Sequence, residues 1–74
     1  MVYELWWRDS LNVAGVFPTE EAALKSLRAE LGRHGREYVA GFTLERMDDG
    51  GDRLTIAEGS ALAEWVARTE RQPA

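Results

Sequence analysis

The sequence predicts an α+β fold: a ββαββα pseudo-repeat in which four strands form one antiparallel sheet, order 2-1-3-4, with two helices on one face. Three observations predict it. Segments alternating apolar and polar residues occur in two pairs, each pair joined by a short polar stretch. Each pair is followed by a segment whose apolar residues recur at helical spacing. The two halves also correspond at a constant offset of 39 residues: Tyr3, Leu5 and Phe17 match Phe42, Leu44 and Ile56, and Asn12 matches Gly51.

The first strand spans residues 2–8. Tyr3, Leu5 and Trp7 share one face, and Glu4, Trp6 and Arg8 share the other. The first set is wholly apolar, so it faces the core and leaves Trp6 outward. A reversed register makes Trp7 the outward tryptophan instead. The following "DSLN" reads as a hairpin loop of Ser10, Leu11 and Asn12, with Asn12 in the left-handed region that asparagine tolerates. That register pairs Asp9 with Val13, Trp7 with Gly15 and Leu5 with Phe17. A two-residue loop would turn Ala14 and Val16 inward.

"PTEEAALKSLRAELGRHG" reads as a helix, with Thr19 as cap and Glu20 and Glu21 at the positive end of its dipole. Ala23, Leu24, Leu27 and Leu31 form its apolar stripe, and Gly32 or Gly35 closes it. "EYVAGFTLERM" reads as the third strand, with Tyr38, Ala40, Phe42 and Leu44 inward. The turn "DDGGD" puts Gly51 in the left-handed position, and "RLTIAE" returns with Leu54 and Ile56 inward, Ile56 opposite Leu44. Ser60 caps a last helix that buries Leu62, Trp65, Val66 and Thr69. A right-handed crossover between the halves gives the strand order. Residues 1–70 are expected to form a single domain and 71–74 a disordered tail.

Seventy-four residues hide roughly 60% of the unfolded chain's surface, so stability is marginal. Cysteine is absent, which excludes disulfides and thiolate metal sites as staples. Association with another chain is the staple left open. The chain carries 13 acidic and 9 basic residues, net charge −4, pI near 4.9. That field disfavours phosphate backbones and acidic membranes. No apolar run approaches a membrane span and the N-terminus lacks a signal-peptide pattern, so a cytoplasmic location is expected.

The segments "YELW", "FPTEEAAL" and "IAEG" resemble a group of small, uncharacterised bacterial single-domain proteins. In that group a tyrosine–acid–leucine–tryptophan strand leads into a hairpin and an acidic-capped helix. A second strand pair and a short helix introduced by Ile-Ala-Glu-Gly follow. The resemblance implies the hairpin–helix layout and no activity. This chain departs from the pattern in its shorter first loop, which lacks the usual glycine, and in Pro18, where an acidic residue is commoner.

Trp6 is the foremost candidate for a binding role. It is expected on the open face with Glu4, Arg8 and Val16 around it, and tryptophan is enriched at interface hot spots. Arg28, Arg33, His34 and Arg36 form the local excess of positive charge, and a nucleic-acid-associated, antitoxin-like regulator would use them. Glu30 and His34, spaced i, i+4, offer at most two metal ligands, and a histidine at a helix end also serves the dipole. Asp48, Asp49 and Asp52 surround two glycines as a tight turn requires, and a calcium loop needs a different spacing. No catalytic motif, cofactor-binding motif or metal site is recognisable. The expectation is therefore a non-catalytic interaction module, self-associating as a homodimer or binding another protein through the open sheet face or edge around Trp6.

Overall fold

The computed structural model describes residues 1–71. The chain runs β1 (Val2–Trp7), β2 (Val13–Phe17), α1 (Glu20–His34), α2 (Arg36–Val39), β3 (Phe42–Met47), β4 (Arg53–Glu58) and α3 (Gly59–Arg71). The strands form one antiparallel sheet in the expected order β2-β1-β3-β4. Helices cover one face, and the core between the layers contains Leu5, Leu24, Leu27, Val39, Phe42, Leu44, Leu62 and Val66. A thickness of 17 Å against lateral extents of 34 and 31 Å leaves room for those two layers only.

Local chemistry accounts for α1. Thr19 is extended, and its Oγ1 accepts from the N–H of Ala22 at 3.1 Å, while Glu20 and Glu21 occupy the first turn. Gly35 ends the helix at φ 88°, donating its N–H to the Leu31 carbonyl at 2.9 Å. Ala23, Leu24 and Leu27 are buried and Leu31 packs at the rim, which is the expected stripe. In α3 the buried apolar side chains are Leu62, Ala63, Val66 and Ala67, with Trp65 at the rim. The Thr69 hydroxyl donates to the Val66 carbonyl at 2.8 Å and accepts from Arg28 Nε at 3.4 Å.

Several expectations are corrected. The stretch read as the start of β3 is instead the short helix α2. Gly35 redirects the chain, and a helical turn buries Val39 completely, where a strand would have turned it outward. Tyr38 and Ala40 therefore lie before the strand, which begins at Phe42.

The first loop is Arg8–Leu11, closed by Trp7 N–H to Asn12 O at 2.8 Å and Leu11 N–H to Trp7 O at 2.9 Å. The positive φ falls on Leu11 at 58°, not on Asn12. Leu5 consequently pairs with Gly15 and Trp6 with Val13, with a bulge at Ala14 absorbing the shift. Phe17 meets Tyr3 rather than Leu5, a slip of two residues that leaves the same side chains on the inward face.

In the second hairpin Gly51 holds φ 87° in the expected three-residue loop. A second bulge places Ala57, not Ile56, opposite Leu44. The hairpins therefore repeat in order but not residue for residue. Leu54, opposite Arg46, is 53% exposed because the buried part of β3 stops at Leu44.

Helix α3 begins at Gly59, φ 63°, one residue before Ser60, and runs through Arg71. The expected tail thus loses Arg71 to the helix, and residues 72–74 lie outside the described residues.

Candidate functional site

Alternation along β1 separates the adjacent tryptophans. Trp7 points to the helical side. Its ring lies 4.2 Å from Phe42 and 5.3 Å, edge-on, from Tyr38. Gly41 lies beneath it: a Cβ there would come within 3.7 Å of the indole. Trp6 stands on the uncovered face between Val13 of β2 and Thr43 of β3. The outward tryptophan is therefore Trp6.

The centre of the uncovered face is charged. Glu4 of β1 and Glu45 of β3 are direct cross-strand neighbours, an arrangement in which like charges repel. Arg53, from the start of β4, reaches over both, with Nη1 2.6 Å from Glu4 Oε1 and 3.3 Å from Glu45 Oε1. Its guanidinium also sits 5.6 Å from the centre of the Trp6 ring, within cation–π range. Beneath this cover Glu4 is only 9% exposed, and Trp6 Nε1 is shielded from solvent without a hydrogen-bond partner. An indole N–H buried without an acceptor costs desolvation free energy that no hydrogen bond within the chain offsets.

Around the indole runs a groove of about 370 Å³, lined by Trp6, Arg8, Leu11, Thr43, Arg53 and Glu58. Thr43 Oγ1 donates to Glu58 Oε2 at 3.2 Å. The residues expected beside Trp6 are distributed unequally. Glu4 lies within the network. Arg8 is exposed at the end of the sheet, with Nη1 3.3 Å from the Ala40 carbonyl. Val16, opposite Glu4, is 57% exposed on edge strand β2. Arg53, Glu45 and Leu11 were not foreseen as part of this surface. The available signal was the two outward glutamates on facing strands, which require a cation between them.

The other candidates resolve into local pairings. Arg28 Nη1 lies 3.0 Å from Glu21, Arg33 3.8 Å from Glu30, and His34 3.6 Å from the same Glu30. Arg36 belongs to a different helix, α2, so the four residues do not form one strip along α1. His34 also stacks on Tyr38 at 4.4 Å. Asp48 Oδ1 accepts from the N–H groups of Gly50 and Asp52 at 2.9 and 3.0 Å, an Asx-type turn. The Met1 ammonium, 2.7 Å from Asp49, holds that carboxyl below its ordinary range. Among the described residues no three histidine, cysteine or acidic side chains come together as metal ligands, and no helix is long and apolar enough to cross a membrane.

No protein-family model matches this chain, and no curated protein or solved structure matches it.

Proposed function

We propose that this chain is a non-catalytic protein-interaction module that associates with a second copy of itself through the uncovered side of its sheet around Trp6. The observation that carries this reading is the asymmetry of the two faces. Helices seal one side, while the other carries Trp6, half-buried under Arg53 beside the charged centre, with Leu11, Val13 and Val16 near it at 74%, 47% and 57% exposure. Tryptophan supplies large contact area at low entropic cost, and burying one against a partner contributes on the order of 2–3 kcal/mol. In a domain of marginal stability, coupling folding to association shifts the folded population with concentration. A single patch that meets itself about a two-fold axis is the simplest closed form.

The test is molecular mass by light scattering across micromolar to millimolar concentration. Mass should rise with concentration, and Trp6→Ala should shift that rise at least tenfold upward in concentration while the protein stays folded. High salt should leave the association intact or strengthen it, since indole burial does not depend on ion release. A folded Trp6→Ala protein with an unchanged mass profile overturns the reading.

A further inference from the structure

We infer that the seam between α1 and the β1–β2 hairpin is a ligand site, separate from the uncovered face, that takes a small molecule with an alkylated ammonium head. The aromatic rings of Trp7, Tyr38, Phe42 and Phe17 hold the head, and the carboxylate of Glu30 answers its charge.

A cleft of about 330 Å³ opens at this seam, lined by those four rings together with Ser26 and Glu30. The planes of Trp7 and Tyr38 stand at 89°, with ring centres 5.3 Å apart, and Phe42 lies 4.2 Å from Trp7. Rings set at right angles make a corner, and a cation within about 6 Å of a ring centre is attracted by the ring quadrupole. His34 stacks on Tyr38 at 4.4 Å and steadies that wall.

The pattern of α1 explains the carboxylate. Ala23, Leu27 and Glu30 fall at i, i+4 and i+7, so they share one face. Ala23 and Leu27 are completely buried, and the Glu30 side chain is only 24% exposed. Glutamate therefore stands where an apolar residue would have closed the cleft. The chain answers its charge weakly. Arg33 and His34 lie 3.8 and 3.6 Å away, beyond hydrogen-bond length, and both are largely in solvent. No basic side chain lines the cleft among the described residues. A carboxylate drawn out of water without a hydrogen bond favours a cation beside it.

The surroundings select the kind of cation. A metal ion needs several oxygen or nitrogen ligands, and no such group of three is present among the described residues. Bare ammonium is strongly hydrated, and aromatic rings are poor substitutes for its water. An alkylated ammonium is weakly hydrated and offers apolar surface to the rings while its charge meets Glu30. An anion would meet Glu30 and a net charge of −4. The volume sits at the lower end of the range of about 300–1,000 Å³ usual for small-molecule pockets, which suits a compact head with a short chain.

The test is a titration by nuclear magnetic resonance at constant ionic strength, following the indole N–H signals of the three tryptophans. Choline is the probe. Its uncharged analogue, with a tert-butyl group in place of the trimethylammonium, tests the charge, and ammonium chloride tests the rings. Choline should move the Trp7 signal saturably, at least tenfold more tightly than the analogue, and ammonium should not move it. Glu30→Gln keeps the side chain's size and removes only two long ion pairs, so the fold survives. It should bring choline down to the level of the analogue. Trp6→Ala should bind choline unchanged, so this site and the open face fail or stand separately. Equal binding of choline and the analogue, undiminished binding in Glu30→Gln, or no saturable movement of Trp7 each overturns the inference. Movement with phosphatidylcholine vesicles but not with choline would assign the site to a lipid head and overturn the free ligand.

Discussion

Arg53 Nη1 lies 2.6 Å from Glu4 Oε1, although the two residues are separated by two strand crossings of the sheet and most of the chain. This contact ties the first strand to the last. It also gives Glu4 and Glu45 a shared cation and places a guanidinium over Trp6.

Replacing Arg53 with Leu removes the cation and leaves two facing carboxylates, one of them nearly buried. The expected loss is about 1–2 kcal/mol, kept modest because the Arg53 side chain is 45% exposed and the pair is partly screened. Glu4→Gln added to Arg53→Leu should recover part of that loss, since it removes the repulsion. Urea unfolding of the single and double variants checks both signs. Further destabilisation by Glu4→Gln would show that the repulsion is not what Arg53 relieves.

The two tryptophans should differ sharply on truncation. Trp7 packs on Phe42 and Tyr38 within the covered side, so Trp7→Ala should cost about 2–4 kcal/mol. That is most of what holds so small a domain folded. Trp6 packs mainly under Arg53 on the uncovered face, so Trp6→Ala should cost about 1 kcal/mol. Thermal unfolding at a dilution where the protein is monomeric separates the two. The reverse ranking would mean that the faces are assigned wrongly.

These contrasts also mark what could be read from the residues alone. The alternation of Tyr3, Leu5 and Trp7 against Glu4, Trp6 and Arg8 assigns the faces, because a strand's period of two is local and the apolar set is unbroken. Gly51 is equally legible, since a tight loop that needs a positive φ selects glycine. Helix α2 was not legible. Tyr38, Ala40 and Phe42 alternate at the period of a strand, so a single helical turn over Arg36–Val39 is hidden in the pattern, and only the burial of Val39 decides. Register at the first hairpin was lost to a loop that closes between Trp7 and Asn12, followed by a bulge at Ala14, and at the second to a bulge at Ile56, and bulges leave no mark in the apolar pattern. The Arg53–Glu4–Glu45 network depends on the β1–β3 and β3–β4 registers together, so no local reading could assemble it. Of the site, Trp6 was visible and its cover was not.

Leu11 offers the last test. It holds φ 58°, a region that a leucine enters only at a cost of about 1–2 kcal/mol, and it is 74% exposed, so little packing repays that cost. Asparagine tolerates this conformation, and Leu11→Asn should therefore stabilise the monomer by about 0.5–1 kcal/mol, a rise of a few degrees in Tm. The same leucine lines the groove beside Trp6. If the groove is a contact surface, removing its apolar lip should weaken self-association while the fold strengthens. Differential scanning calorimetry on dilute protein and light scattering on concentrated protein would then move in opposite directions. Lowered monomer stability would mean that Leu11 packs within its own chain, and its strained backbone would then need no partner to explain it.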